Sequence, residues 1–346
     1  VPAYVSRPHT VFGDHKVTTG DIADDIRAHH PGHPRLGAIL RVVRGCGVDT
    51  RHFSRPIDAP TVSGPAGIED RAGAAFADAL SMAERAATAA LHASGLAGED
   101  IDAIVTAHCT GWALPNLDVG LMDRLALRPT ARHLALTTLA CAGGAQALIR
   151  AADMVAARPG SKVLVVAAEV ISSVYNHNDT SIESMIYKAL FGDSAAATIV
   201  TGTPLGPGIA IEDSLEYVLP DSLDRYRGRI APDGFHFDST KKALSAADDV
   251  LPTVLDWLGP YRADFAVVHP GSPRIIQDTA AALGLDAHAA RHSTATLAAE
   301  GNLGGVSVFR VLERTHDEPP ADHARGVAVA YGPGFTTAAL RCHWQS

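Results

Sequence analysis

Two intervals in the chain are equal, and each ends where a strand-like run gives way to a helix-like one. Positions 108 and 141 are 33 residues apart, and so are positions 269 and 302. "IDAIVTAHCTG" (101–111) reads as a buried strand running into a loop, and "RADFAVVHPGS" (262–272) repeats that form. After the first, "HLALTTLA" (133–140) reads as another strand. Ala145, Leu148, Ile149, Ala152, Val155 and Ala156 then fall at helical spacing until "RPG" (158–160) ends the helix. After the second, "ARHSTATLAAEGNLGG" (290–305) leads into a helix carrying Val306, Phe309, Val311 and Leu312. "SKVLVVAAEV" (161–170) reads as an apolar strand, as in a sheet covered on both faces, and "GVAVAYGPGFT" (326–336) is a closing strand with a Gly-rich turn. This order implies an internal duplication in an α/β chain. It puts Cys141 and Asn302 at equivalent strand-to-helix junctions, which meet near the centre of a two-fold pseudo-symmetric fold. Residues 72–96 read as one long helix ending at Gly95, whereas residues 1–70, rich in Pro, Gly, His and Arg, read as irregular.

A thiol at such a junction has two readings. Free Cys often behaves as a small buried hydrophobe. At a helix N-terminus, however, unpaired N–H groups and the helix dipole favour a thiolate, and a nearby imidazole lowers the thiol pKa further. Gly143 and Gly144 would let a substrate approach the backbone, and the N–H at the nucleophile could serve an oxyanion. His269 ends an apolar strand before a sharp Pro–Gly turn, so it either caps a carbonyl or acts as a base. Asn302 is either an N-cap or a donor in a site. The paired locations favour chemistry, and a Cys–His pair suits thioester exchange.

Composition narrows the classes. A chain of 346 residues with 47% apolar residues fills one large domain or two packed halves, mostly with Ala, Val and Leu, because aromatics are only 5%. A net charge of -9 argues against nucleic acid or an anionic membrane as partner. No apolar run approaches the roughly 20 residues that span a bilayer. Four scattered cysteines form neither a zinc motif nor a disulfide framework, so a reducing, cytoplasmic setting is expected. No Ser elbow of the G-x-S-x-G type follows a strand, which leaves a serine hydrolase unsupported.

"CTGWALPNLD", "LACAGG", "ALFGDSAAATIV", "VVHPGSPRII", "EGNLGGVSVFRVLE" and "YGPGFT" together resemble the type III polyketide synthases of the chalcone synthase superfamily, along nearly the whole chain. The resemblance implies a thiolase-like α/β fold of αβαβα layers with mixed sheets. It divides the chain into a half at 1–205 holding the nucleophile and a half at 206–346 holding His and Asn. It implies Cys141, His269 and Asn302 as the catalytic set. Cys141 takes a starter from an acyl-CoA, and His269 with Asn302 stabilises the enolate formed as malonyl-CoA loses carbon dioxide. Repeated condensation and cyclisation then give an aromatic or pyrone product. The CoA thioesters are substrates, and no cofactor or metal is implied. Phe191 and Phe237 align with two gatekeepers between a CoA tunnel and an acyl cavity, and Arg41 and Arg44 with residues that bind CoA phosphates. Cys109, Leu114, Val174 and Gly304 would line the cavity. Cys109 stands where bacterial tetrahydroxynaphthalene synthases carry Cys and plant enzymes usually carry Thr. Small residues at 109, 304 and 305 imply a roomy cavity and a tetraketide or pentaketide. A homodimer is implied, with "ALPNLD" reaching into the partner. The rivals are a ketoacyl synthase III-like enzyme fed by acyl carrier protein, disfavoured by "HPGSPRII" and "YGPGFT", and a non-catalytic thiolase-fold binding subunit.

Overall fold

The computed structural model describes residues 2–346. Along the chain the first elements are β1 (Ala3–Val5), β2 (His9–Phe12), β3 (His15–Thr18), α1 (Thr19–His29), α2 (Leu36–Arg44), β4 (Thr50–Phe53) and α3 (Ile68–Ala93). Next come β5 (Ala103–His108), α4 (Leu117–Arg124), β6 (Arg132–Thr137), α5 (Gly143–Ala157), β7 (Lys162–Glu169), α6 (Ile182–Leu190) and β8 (Ser194–Thr201). The remainder holds β9 (Gly208–Val218), β10 (Tyr226–Ala231), β11 (Gly234–Ser239), α7 (Ala246–Leu258), β12 (Phe265–Val268), α8 (Pro273–Ala282), α9 (Arg291–Glu300), α10 (Ser307–Asp317), β13 (Arg325–Gly332) and β14 (Thr336–Gln345).

The main strands form one mixed sheet in the order β12-β13-β14-β9-β1-β8-β7-β5-β6, with β2 also on β8. Outward from β1 the series is β8, β7, β5 and β6. Outward from β9 it is β14, β13 and β12. The two series match in chain position and direction, β5 with β7 and β12 with β13 both being parallel pairs. They part at β6, whose place in the second series is taken by the helix α9. The sheets of the two series are joined by the antiparallel pairing of β1 with β9.

Side-chain alternation makes the layers. Val163, Val165 and Ala167 of β7 pack with α5 and α10 in a central core, while Leu164, Val166 and Ala168 pack against α3 on the other face. Val267 and Ala328 likewise face the central core, while Val268 and Val329 face α7. The result is helix, sheet, helices, sheet, helix: the αβαβα order. These strands read as continuous apolar runs because both their faces are buried, each Val or Leu contributing about 1.5–3 kcal/mol.

The first 70 residues correct the expectation of irregular chain. They hold four strands and two helices. The strands are three or four residues long, too short to show periodicity. The sequence reading passed over α1, although Thr18 and Asp21 form a reciprocal capping box, with Ile22, Ala23 and Ile26 on its buried side.

Candidate active site

Cys141 lies in a 3-10 turn, Ala140–Ala142, directly before α5. Asn302 lies just before a matching turn, Gly304–Val306, that leads into α10. Gly144 explains why the two turns meet. A Cβ there would stand 2.0 Å from the Gly305 carbonyl oxygen and 2.9 Å from Phe309. This corrects the sequence reading of the glycines. Gly143 and Gly144 face protein, not substrate: Gly143 packs on Ala107 and Leu139, and Gly144 lets the two helix N-termini come together. The chain before Cys141 is also bent into the left-handed region at two non-glycine residues, Thr138 (φ 62) and Ala140 (φ 47). Such strain, about 1–3 kcal/mol per residue, persists where surrounding structure holds a functional group in place.

Asn302 Oδ1 accepts the Gly304 N–H at 2.9 Å, which settles the orientation of the amide. Its Nδ2 is left to face Cys141 Sγ at 3.9 Å. The N-cap position of the Gly304–Val306 turn is Leu303, not Asn302, so the Asn302 oxygen braces the chain entering that turn while its nitrogen points to the thiol. His269 follows β12 and is almost fully buried; its Nδ1 is buried without a partner. His108, at the matching end of β5, contrasts with it. There Nδ1 bonds the Ala168 carbonyl at 2.6 Å and Nε2 accepts the Gly111 N–H at 3.1 Å. A buried lone pair without a partner costs less than a buried N–H without one. His269 is thus best placed as the tautomer with its proton on Nε2.

Cys141, His269 and Asn302 line one cavity of about 120 Å³, together with Cys109, Phe191, Phe237 and Gly304. The Phe191 and Phe237 ring centroids are 6.1 Å apart. A larger cavity of about 920 Å³ adjoins it and shares Cys109, Thr110, Ala140, Phe237 and Pro333 as walls. Leu114 lies on this second cavity and is 88% exposed. Val174 lines neither; it borders a small separate pocket whose walls include Tyr187 and Phe191. Of residues 109, 304 and 305, from which a roomy cavity is expected, only Cys109 borders the larger space; Gly304 lines the small space at the thiol and Gly305 lines neither. Arg41 and Arg44 are exposed in the last turn of α2 and line neither cavity. Arg51, seven residues after Arg44, is by contrast fully buried and bonds Thr19 Oγ1 at 2.9 Å.

The electrostatics of the resting site differ from a thiolate–imidazolium pair. Burial, with the Glu169 charge second, pushes the Cys141 thiol up to about 12. Burial alone pushes His269 down to about 3. Both groups are neutral near pH 7, and no hydrogen bond joins them. The helix N-terminus is real but does not outweigh desolvation in an apolar cavity.

Glu169 is the site residue that sequence reading passed over. It ends β7, is 1% exposed, lines the cavity and accepts the Cys109 N–H at 3.2 Å. Burial raises its carboxyl to about 7, although hydrogen bonds from Cys109 and Thr110 pull the other way. A single acid closing the apolar run "VLVVAAE" (163–169) was the available signal.

The N-terminal domain of chalcone and stilbene synthases matches residues 57–204, and the C-terminal domain of the same enzymes matches residues 210–344. Among curated proteins, 1,3,6,8-tetrahydroxynaphthalene synthase of Streptomyces coelicolor is 33% identical over 99% of this chain and 93% of its own. Phloroglucinol synthase of Pseudomonas fluorescens is 31% identical over 97% of this chain and 98% of its own. Among solved structures, germicidin synthase of Streptomyces coelicolor superposes with a TM-score of 0.94 at 29% identity, covering 99% of each chain. The chain belongs to the chalcone and stilbene synthase family and is a type III polyketide synthase, an acyltransferase that condenses malonyl-CoA units.

Proposed function

We propose that Cys141 carries the growing acyl chain and that His269 and Asn302 stabilise the enolate of malonyl-CoA. The observation that carries this reading is the Asn302 Nδ2 donor directed at Cys141 Sγ, 3.9 Å away, in a cavity that His269 also lines. In loading, the Cys141 S–H bond breaks and a bond forms from Sγ to the acyl carbon. The bond from that carbon to the CoA sulfur breaks, and the proton ends on the departing CoA thiol. One thiol ester replaces another, so the neutral thiol of the resting site is no obstacle to the balance. In condensation, carbon dioxide leaves malonyl-CoA, and its electron pair passes into the thioester carbonyl. A neutral His269 Nε2–H and the Asn302 N–H groups are the donors for that oxyanion. The enolate carbon then attacks the acyl-Cys141 carbonyl and expels the thiolate. The test is intact-protein mass spectrometry after incubation with a panel of acyl-CoAs. An adduct mapped to Cys141, absent in Cys141→Ala, is expected; labelling that survives the substitution overturns the assignment.

Phe191 and Phe237 are proposed as the gate, since their rings stand together on the cavity wall. Arg41 and Arg44 are proposed to meet CoA phosphates from the exposed end of α2. We place the boundary between the halves near residue 205, in the turn between β8 and β9. A homodimer is proposed on the exposed apolar rim of the larger cavity, where Trp112 is 76% and Leu114 88% exposed. Light scattering at micromolar concentration should give twice the chain mass, and a monomer there rules the dimer out. No helix among the described residues is long and apolar enough to cross a membrane. All four cysteines are free, which suits the reducing cytoplasm proposed for the enzyme.

A further inference from the structure

Outside the cavity, three side chains with metal-binding atoms converge. Asp25 and His29 stand one helical turn apart on α1, so they share a face. His177 comes from the segment between the turn Ile171–Val174 and α6. A carboxylate oxygen of Asp25 and one ring nitrogen from each histidine lie within 4.8 Å of one another. We propose that Asp25, His29 and His177 form a binding site for a divalent transition metal of the zinc class.

The spacing of the atoms carries the proposal. His177 Nε2 is 3.0 Å from Asp25 Oδ2, yet it is buried without a hydrogen bond, so an N–H there is not aimed at the carboxylate. His29 Nδ1 is 3.2 Å from Asp25 Oδ1. Two ligands of a tetrahedral ion, each bound at about 2.0–2.1 Å, stand roughly 3.3 Å apart and point at the ion, not at each other. Outer contacts fit the same role. His177 Nδ1 meets His30 Nε2 at 3.0 Å, which holds the ring and leaves Nε2 as the ligand atom. The Tyr175 hydroxyl donates to Asp25 Oδ2 and holds the carboxylate. The side chains of Asp25 and His177 are 12% and 11% exposed, whereas that of His29 is 45% exposed. Two ligands are thus fixed, and the third stands at the mouth, with water to complete the sphere.

Binding has an identifiable cost. The His29 and His177 rings stack at 3.8 Å, tilted by only 11°. Parallel rings cannot both aim a lone pair at one ion, so the exposed His29 ring must turn out of the stack and give up its contact with the Asp25 carbonyl. Two imidazoles and one carboxylate suit zinc, cobalt or nickel; magnesium and calcium prefer oxygen ligands throughout. The ion would fasten α1 to the segment that enters α6, the helix followed directly by Phe191 at its C-cap. Sequence alone hides the cluster, because His29 and His177 are 177 − 29 = 148 residues apart.

The test is a cobalt(II) titration of the full chain after treatment with a chelator, followed by displacement with zinc. One cobalt per chain is expected, with the visible bands of a four-coordinate ion and no thiolate band in the near ultraviolet. Affinity should fall at least tenfold in Asp25→Asn, His177→Gln and His29→Ala. Zinc should raise the melting temperature of the wild type and not of His29→Ala, whose exposed side chain can be lost without disturbing the metal-free fold. A thiolate band, or undiminished affinity in a folded His29→Ala and His177→Gln, would put the metal on other residues and overturn the site.

Discussion

His108 and His269 close equivalent strands, yet only one is spent on the fold. Both nitrogens of His108 are hydrogen-bonded, whereas His269 has a buried Nδ1 without a partner and a ring that lines the cavity. Sequence could not tell them apart, since the difference is made by the Ala168 carbonyl and the Gly111 N–H. If neutral His269 works as a donor, a side chain that keeps an N–H should keep part of its effect. His269→Ala should slow malonyl-CoA decarboxylation by about 10²–10³, the usual loss for one oxyanion donor. His269→Gln should lose distinctly less, with unchanged melting in both variants. Equal loss in the two, read as carbon dioxide release, would point instead to a base. Glu169 gives a second prediction. Its carboxyl is raised from 4.5 to about 7 in the folded protein. Below pH 4.5 folded and unfolded chains both hold the proton, so the group has no effect. Between 4.5 and 7 the unfolded chain ionises first, and stability falls as pH rises. At about 1.4 kcal/mol per pH unit the loss is on the order of 3 kcal/mol above pH 7. Glu169→Gln keeps a carbonyl to accept the Cys109 N–H and removes this penalty. It should therefore melt higher than the wild type at pH 8 and equally at pH 4. A matching gain at both values would show that the charge is not the cause.

At the scale of elements, the strands and helices that flank the site were legible because burial on both faces leaves long apolar runs. β7, β12, β13, α5 and α10 all fall where periodicity puts them. β1 to β4 were not legible, since three or four residues carry no period, and neither was the β10–β11 hairpin that brings Phe237 to the cavity. The equal intervals did locate Cys141 and Asn302 at matching turns, although a strand leads to one and a helix to the other. Gly143 and Gly144 were noticed for the wrong reason, because sequence shows that a side chain is missing but not what fills its place. Gly144→Ala tests the packing role. The nearest obstacle is backbone, so overpacking costs about 1–3 kcal/mol or more and exceeds the ~1 kcal/mol that Ala gains over Gly in a helix. Stability and acyl loading should fall together as the two turns are pushed apart. Gly73, exposed in α3 with nothing within 4 Å of its would-be Cβ, is the control. Gly73→Ala should stabilise by about 0.5–1 kcal/mol in denaturant unfolding. If Gly144→Ala behaved like it, the close approach of the two helices would not be what holds the site together.

Across the whole molecule, the size of the product is a question of how two cavities connect. The space at Cys141 is about 120 Å³, too small on its own for a chain of several acetate units to coil. The adjoining space is about 920 Å³, and Cys109 is on the wall common to both. A growing chain that outruns the first space must pass Cys109, Ala140 and Phe237 to enter the second. Side-chain volume at position 109 should therefore set where extension stops, while loading, which needs only the first space, goes on. Cys109→Phe should shorten the product by at least one malonyl unit and still give the acyl adduct on Cys141. Cys109→Ala should leave the product unchanged or longer, since it only enlarges the passage. The Phe side chain also overpacks the wall at a cost of roughly 1–3 kcal/mol, so its melting must be measured beside its products. Leu114, at the open side of the larger space, supplies the contrast. Leu114→Phe fills volume far from the passage and should alter late extensions before early ones. Chromatography of the products from malonyl-CoA with one fixed starter reads all three variants. If a folded Cys109→Phe enzyme made the wild-type product, the chain would not pass position 109, and the larger cavity would have no part in counting extensions.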